Sequence, residues 1–100
     1  MKLLLQQHHS LRTALALAID ELEEYPQQDT TMRLLCATLA EVLLKMNRQA
    51  IEVKAKYALK LSVPQEYAMV LAKQMGLFDT STYQRITTGN ILTELQQKLG

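Results

Sequence analysis

The chain has no tryptophan, one phenylalanine, one cysteine, two prolines and three glycines in its 100 residues. A lone cysteine, Cys36, cannot close an intramolecular disulfide, so the fold has no covalent staple and suits a reducing compartment. So few glycines and prolines leave little punctuation for the many tight turns that a sheet protein needs. Two histidines, with no glycine-rich phosphate loop and no Ser/His/Asp or Cys/His set, leave most active sites without their materials. We therefore expect no catalytic activity, no metal and no cofactor. No run approaches the ~18–20 apolar residues of a membrane span. Met1-Lys2-Leu3-Leu4-Leu5 opens as a signal peptide would, but Gln6-Gln7-His8-His9 breaks the apolar region at once. The expectation is a cytoplasmic protein with no membrane association.

What is present is aliphatic. Hydrophobic residues make up 48% of the chain, and they are mostly Leu, Ala, Ile, Val and Met, enough for one modest core in one domain spanning residues 1–100. Leu4, His8, Leu11, Leu15, Ala18, Leu22 and Tyr25 follow one another at steps of 4, 3, 4, 3, 4 and 3, which is one face of a helix over about 2–25. Pro26 stops it. Asp29, Thr30 or Thr31 can cap a second helix over about 30–61, whose seam reads Met32, Leu35, Leu39, Val42, Met46, Ala50, Val53, Tyr57 and Leu61. The short polar link makes the two an antiparallel hairpin. Ser62 followed three later by Gln65 forms a capping box for a third helix over about 64–75, with Tyr67, Val70, Leu71 and Met75 turned inward. Gly76 ends it in left-handed geometry, and Leu77 and Phe78 fold back over its last turn. Residues 80–99 carry a further helical stripe, in one piece or in two divided at Thr88-Gly89-Asn90. The fold class is all-α: a small helical bundle built on the long hairpin, with shorter C-terminal helices packed against it.

The formal net charge of +1 gives no overall attraction to nucleic acid or to an anionic surface. The charges are nevertheless separated. Asp20 to Asp29 holds five acids and no base, whereas Lys45 to Lys60 holds five bases against Glu52. In a hairpin turning at Pro26, the two clusters fall at opposite tips. Glu21, Glu23 and Glu24 also occupy the last turn of a helix, where the macrodipole disfavours negative charge by ~0.3–1 kcal/mol each. A sequence that breaks a local rule in this way can be serving a contact, unless Arg33 compensates it. The candidate partner-contact residues are Glu21, Glu23 and Glu24 at one tip, Lys54, Lys56 and Lys60 at the other, and exposed parts of the seam.

Neither His8-His9 nor Cys36 suggests chemistry. Adjacent residues on a helix point about 100° apart, so the two imidazoles cannot share an ion; His8 fits the seam. Cys36 lies beside the seam and far along the hairpin from either histidine, which makes it a packing residue.

Leu71-Ala72-Lys73-Gln74-Met75-Gly76-Leu77 followed by Ser81-Thr82-Tyr83-Gln84-Arg85-Ile86 resembles the helix-turn-helix of repressor-type DNA-binding domains. Ala72 stands four residues before the turn glycine, and a Ser-Thr start with a later Arg-Ile opens the second helix. The resemblance, over residues 64–90, implies that Ser81, Thr82, Gln84 and Arg85 face DNA while Tyr83 and Ile86 anchor the helix. Arg85 is the only base between Lys73 and Lys98, so phosphate contacts would have to come from the Lys54–Lys60 run on the same face. The leading expectation is a protein-interaction module: a small adaptor, chaperone-like or assembly-regulating protein acting as a homo-oligomer, most simply a dimer, or on a larger protein. DNA binding through the helix-turn-helix is the alternative.

Overall fold

The computed structural model describes residues 1–26, 29–78 and 82–99, with side chains described for all of these except 82–88. Within them the chain runs β1 (Lys2–Leu4), α1 (Leu5–Glu23), α2 (Thr30–Gln49), β2 (Lys56–Ala58), α3 (Val63–Gln74) and α4 (Thr82–Leu99). The class is the helical bundle that the periodicity implies, with a small two-stranded antiparallel ribbon at one end.

Helices α1 and α2 form the expected antiparallel hairpin: His8, in the first turn of α1, meets Gln49, the last residue of α2. The seam residues His8, Leu11, Leu15, Ala18 and Leu22 of α1, and Leu35, Leu39, Val42 and Met46 of α2, are all buried. These seam positions are core, covered by the later helices, whereas the seam residues Leu4, Tyr25 and Val53 are exposed. Helix α3 packs on α2, and α4 lies against both α1 and α3. Fully burying one Leu or Met side chain contributes ~1.5–3 kcal/mol, and Leu11, Leu15, Leu22, Leu39, Met46, Leu59, Met69, Leu77 and Leu92 are all in that state.

The helix ends obey the local signals. Asp29 caps α2, its Oδ1 accepting the Met32 N–H at 2.8 Å. Ser62 Oγ accepts from the Gln65 N–H at 3.3 Å, and Gln65 Oε1 accepts from the Ser62 N–H at 3.0 Å, closing the capping box of α3. At the other end Gly76 takes φ 76°. The Leu77 N–H donates to the Ala72 carbonyl and the Gly76 N–H to the Lys73 carbonyl, which satisfies two carbonyls that the helix end leaves open. Leu77 and Phe78 are buried just beyond it. The last helix is a single one, Thr82–Leu99, running through Gly89.

Two expectations are corrected. The second helix does not reach residue 61; it ends at Gln49, and Lys54, Lys56 and Lys60 lie outside any helix. Ile51, Val53, Ala55, Tyr57, Leu59 and Leu61 alternate with Glu52, Lys54, Lys56, Ala58 and Lys60. That is the period of a strand, superimposed on the helical spacing of Val53, Tyr57 and Leu61. The strand wins because Leu3 offers a partner: Leu3 pairs with Tyr57, both buried, while Lys2 faces Ala58 and Leu4 faces Lys56. The first helix correspondingly starts at Leu5 rather than Lys2. The second correction concerns α3. Its inward face is Gln65, Glu66, Ala68, Met69, Val70 and Ala72, whereas Tyr67, Leu71 and Met75 are exposed.

Candidate interaction surface

The ends of the bundle differ in charge. Glu21 and Glu23 close α1, and Glu24 follows at its C-cap, all exposed. Lys54, Lys56 and Lys60 are exposed too and lie around β2, which pairs with β1 immediately ahead of α1. A helix of the length of α1 (19 residues) separates these ends by roughly 28 Å at 1.5 Å per residue. The six residues are thus placed as two groups and share no common site. Among the described residues none of Glu21, Glu23 and Glu24 has an ion-pair partner, and Arg33 does not supply one. Lys54 reaches Glu52 at 3.7 Å with both side chains largely exposed, a pair that contributes little to stability.

A polar node ties the basic end together. His8 is fully buried, stacked on Tyr57 with ring centroids 4.1 Å apart. Its Nε2 lies 3.0 Å from Gln49 Oε1, and Gln49 Nε2 donates to the Ala58 carbonyl at 2.7 Å. The Tyr57 hydroxyl donates to the Glu52 carbonyl and accepts the Lys54 N–H, at 2.9 and 3.1 Å. Burial pushes the His8 pKa down; the Gln49 hydrogen bond opposes this and the Arg12 charge adds to it. His8 therefore holds the ribbon against the hairpin as a neutral ring. Cys36 is half-buried, with its thiol pKa pushed up by burial and, secondarily, by the Glu23 carboxylate, the opposite of an activated nucleophile. Among the described residues no group of three or more His, Cys, Asp or Glu could hold a metal ion, and no helix is long and apolar enough to cross a membrane.

The unusual surface is α3. Glu66 is buried at its start and forms an ion pair with Lys98 of α4 at 3.2 Å. Gln65 is held by Lys45 Nζ at 3.1 Å and donates to Glu41 Oε2 at 3.4 Å. Lys45 also donates to the Lys60 carbonyl at 2.6 Å. These contacts turn two polar side chains inward, and the helix turns Val63, Tyr67, Leu71 and Met75 outward instead, at 59, 56, 39 and 45% exposure. The four recur every fourth residue, so they form one continuous ridge. Tyr67 and Leu71 separate two grooves. One is shared with Thr31, Leu34, Leu35 and Thr38 of α2, where Leu34 is 63% exposed. The other is shared with Gln96 and Leu99 of α4. The exposed positions of residues 62–76 include no charged side chain. Nothing in the periodicity marks this face, because its apolar residues have the spacing of a core stripe. The one available signal was the pair Gln65-Glu66 inside that stripe's flank.

The residues of the helix-turn-helix resemblance span α3 and the start of α4. Helices α3 and α4 follow in the expected order, and the backbone of Thr82, Gln84 and Arg85 belongs to the start of α4; Ser81 lies outside the described residues. Helix α3 runs antiparallel to α2, since Gln65 meets Glu41 and Lys45 while Leu71 reaches the groove beside Thr31 and Leu34. Helix α4 in turn runs antiparallel to α3, with Lys98 beside Glu66 and Lys73 donating to Thr93 at 3.0 Å. The start of α4 therefore falls at the acidic end, away from Lys54–Lys60. Comparison with protein-family models, with curated proteins and with solved structures finds no match to this chain.

Proposed function

We propose that the protein is a non-catalytic interaction module that binds another protein through the outer face of α3. The observation that carries this reading is the apolar outer face of that helix. Gln65 and Glu66 are buried, and Val63, Tyr67, Leu71 and Met75, with Leu34 of α2 beside them, face solvent. Leaving so much apolar surface in water forfeits burial free energy of about 25 cal/mol per Å². Together these five side chains expose on the order of 500 Å², near the upper end of the ~300–600 Å² of the largest patch on a typical monomer. Tyr and Met are enriched, and charge is depleted, at the centres of protein interfaces, as on this ridge.

Photo-cross-linking tests the proposal. A photoreactive residue at position 71 of the full chain, activated in the cell, yields a discrete protein adduct. The same residue at position 17, an isolated exposed leucine on α1, yields none.

A further inference from the structure

We infer that the partner seated on α3 is a second copy of this chain, joined antiparallel about a two-fold axis crossing the ridge near Tyr67 and Leu71. This rests on the reading of α3 as a binding face and adds the occupant.

Three features select a second copy. The first is shape. A ridge of side chains spaced by four, with a groove on either side, is self-complementary: the ridge of one α3 enters the groove of the other, in the commonest class of helix packing. A two-fold interface needs one patch that serves as both knob and hole.

The second is area. A stable pair covers roughly 800 Å² on each partner. The exposed apolar side chains supply on the order of 500 Å² as a dry centre, and Thr31, Thr38, Gln74 and Gln96 along the grooves supply the polar rim that such interfaces carry.

The third is charge. The ridge has none, so identical faces meet without repulsion. The ends of the bundle, by contrast, are opposite in sign. Because α3 runs antiparallel to α2, its Met75 end points toward the end of Glu21, Glu23 and Glu24, and its Val63 end toward that of Lys54, Lys56 and Lys60. A two-fold axis across α3 sets Met75 of one copy toward Val63 of the other. It thereby brings the acidic end of each copy toward the basic end of its partner, twice over. Exposed charges of this kind contribute to orientation and association rate more than to affinity.

Sedimentation equilibrium of the purified full chain, from low micromolar to several hundred micromolar, gives a mass that rises to that of a dimer. Leu71→Glu raises the dissociation constant at least 100-fold without loss of helical signal. Tyr67→Glu does the same by itself, which guards against a variant that fails to fold. Orientation is read by a short bismaleimide on Cys36→Ser chains carrying Val63→Cys or Met75→Cys. Mixed chains cross-link to each other several-fold faster than either cross-links to itself. Charge reversal by Glu23→Lys weakens association several-fold at low salt, and adding Lys56→Glu to the same chain restores part of it. A mass that stays monomeric to several hundred micromolar, or that is indifferent to both Leu71→Glu and Tyr67→Glu, overturns the second copy as occupant. Faster like-with-like cross-linking overturns the antiparallel arrangement. A monomeric chain that still forms a heterologous adduct from position 71 retains the binding face and loses only its proposed occupant; a chain with neither loses both.

Discussion

Replacing Gln49 by methionine removes the polar atoms that join α1, α2 and β2 while keeping the length of the side chain. Two hydrogen bonds disappear, one to His8 and one to the Ala58 carbonyl. Their costs are unequal. Ala58 is exposed, so water takes the place of Gln49 at its carbonyl and the net loss is small. His8 is fully buried, so its Nε2 is left without a partner, which costs ~1–3 kcal/mol. The expected destabilisation is about 2 kcal/mol. With a urea dependence of ~1–3 kcal/mol per M for a small domain, the midpoint falls by about 1 M. His8→Phe keeps a ring to stack on Tyr57 and removes the group that methionine orphans. In the double variant, partner and orphan are both gone, and replacing both members of a buried pair by apolar groups is close to neutral. The cycle measured by urea denaturation should therefore show a coupling of about 1–2 kcal/mol. Strict additivity, or a Gln49→Met chain within ~0.5 kcal/mol of the original, would refute the role given to this node.

The remaining predictions concern pH and one turn. Burial lowers the His8 pKa below its ordinary 6.5 in the folded chain, so near that value the unfolded chain binds more protons and folding stability rises with pH. The contribution is complete above about 6.5 and is lost as pH falls toward the folded value, with a slope of at most ~1.4 kcal/mol per pH unit; urea midpoints between pH 8 and 5 should show it, and His8→Phe should flatten that part of the profile. Gly76→Ala forces a side chain into the left-handed region at φ 76°, at a cost of ~1–2 kcal/mol. A thermal melt should move down by several degrees, at ~4–8 °C per kcal/mol for a domain of this size, and an unchanged melt would mean that the turn relaxes.

The hairpin, its core seam, the start of α2 and both ends of α3 are legible in the sequence because each rests on local chemistry. Leu11, Leu15, Ala18 and Leu22 repeat at helical spacing, Ser62 with Gln65 forms a cap, and Gly76 supplies the one positive φ among the described residues. Residues 50–61 were misread because two periods coexist there: Val53, Tyr57 and Leu61 fit a helix, while Ile51 through Leu61 fit a strand. What decides between them is the pairing of Leu3 with Tyr57, across more than fifty residues of chain, and no local pattern contains that. The face of α3 was hidden for a related reason. Tyr67, Leu71 and Met75 have core spacing, and only the tertiary partners of Gln65 and Glu66, namely Lys45, Glu41 and Lys98, turn the helix the other way. The separation of Glu21, Glu23 and Glu24 from Lys54, Lys56 and Lys60 to opposite ends survives the shortening of α2. Where a helix over 30–61 would have run straight on, the chain after Gln49 turns back through β2.

The most direct test of the α3 face is the photo-cross-linking yield from position 71 set against that from position 17, in the full chain and again with Tyr67→Glu added. A binding face on α3 gives a discrete adduct from position 71 that Tyr67→Glu abolishes while the melting temperature holds, and no adduct from position 17. No adduct from position 71, an equal one from position 17, or one that survives Tyr67→Glu would contradict it.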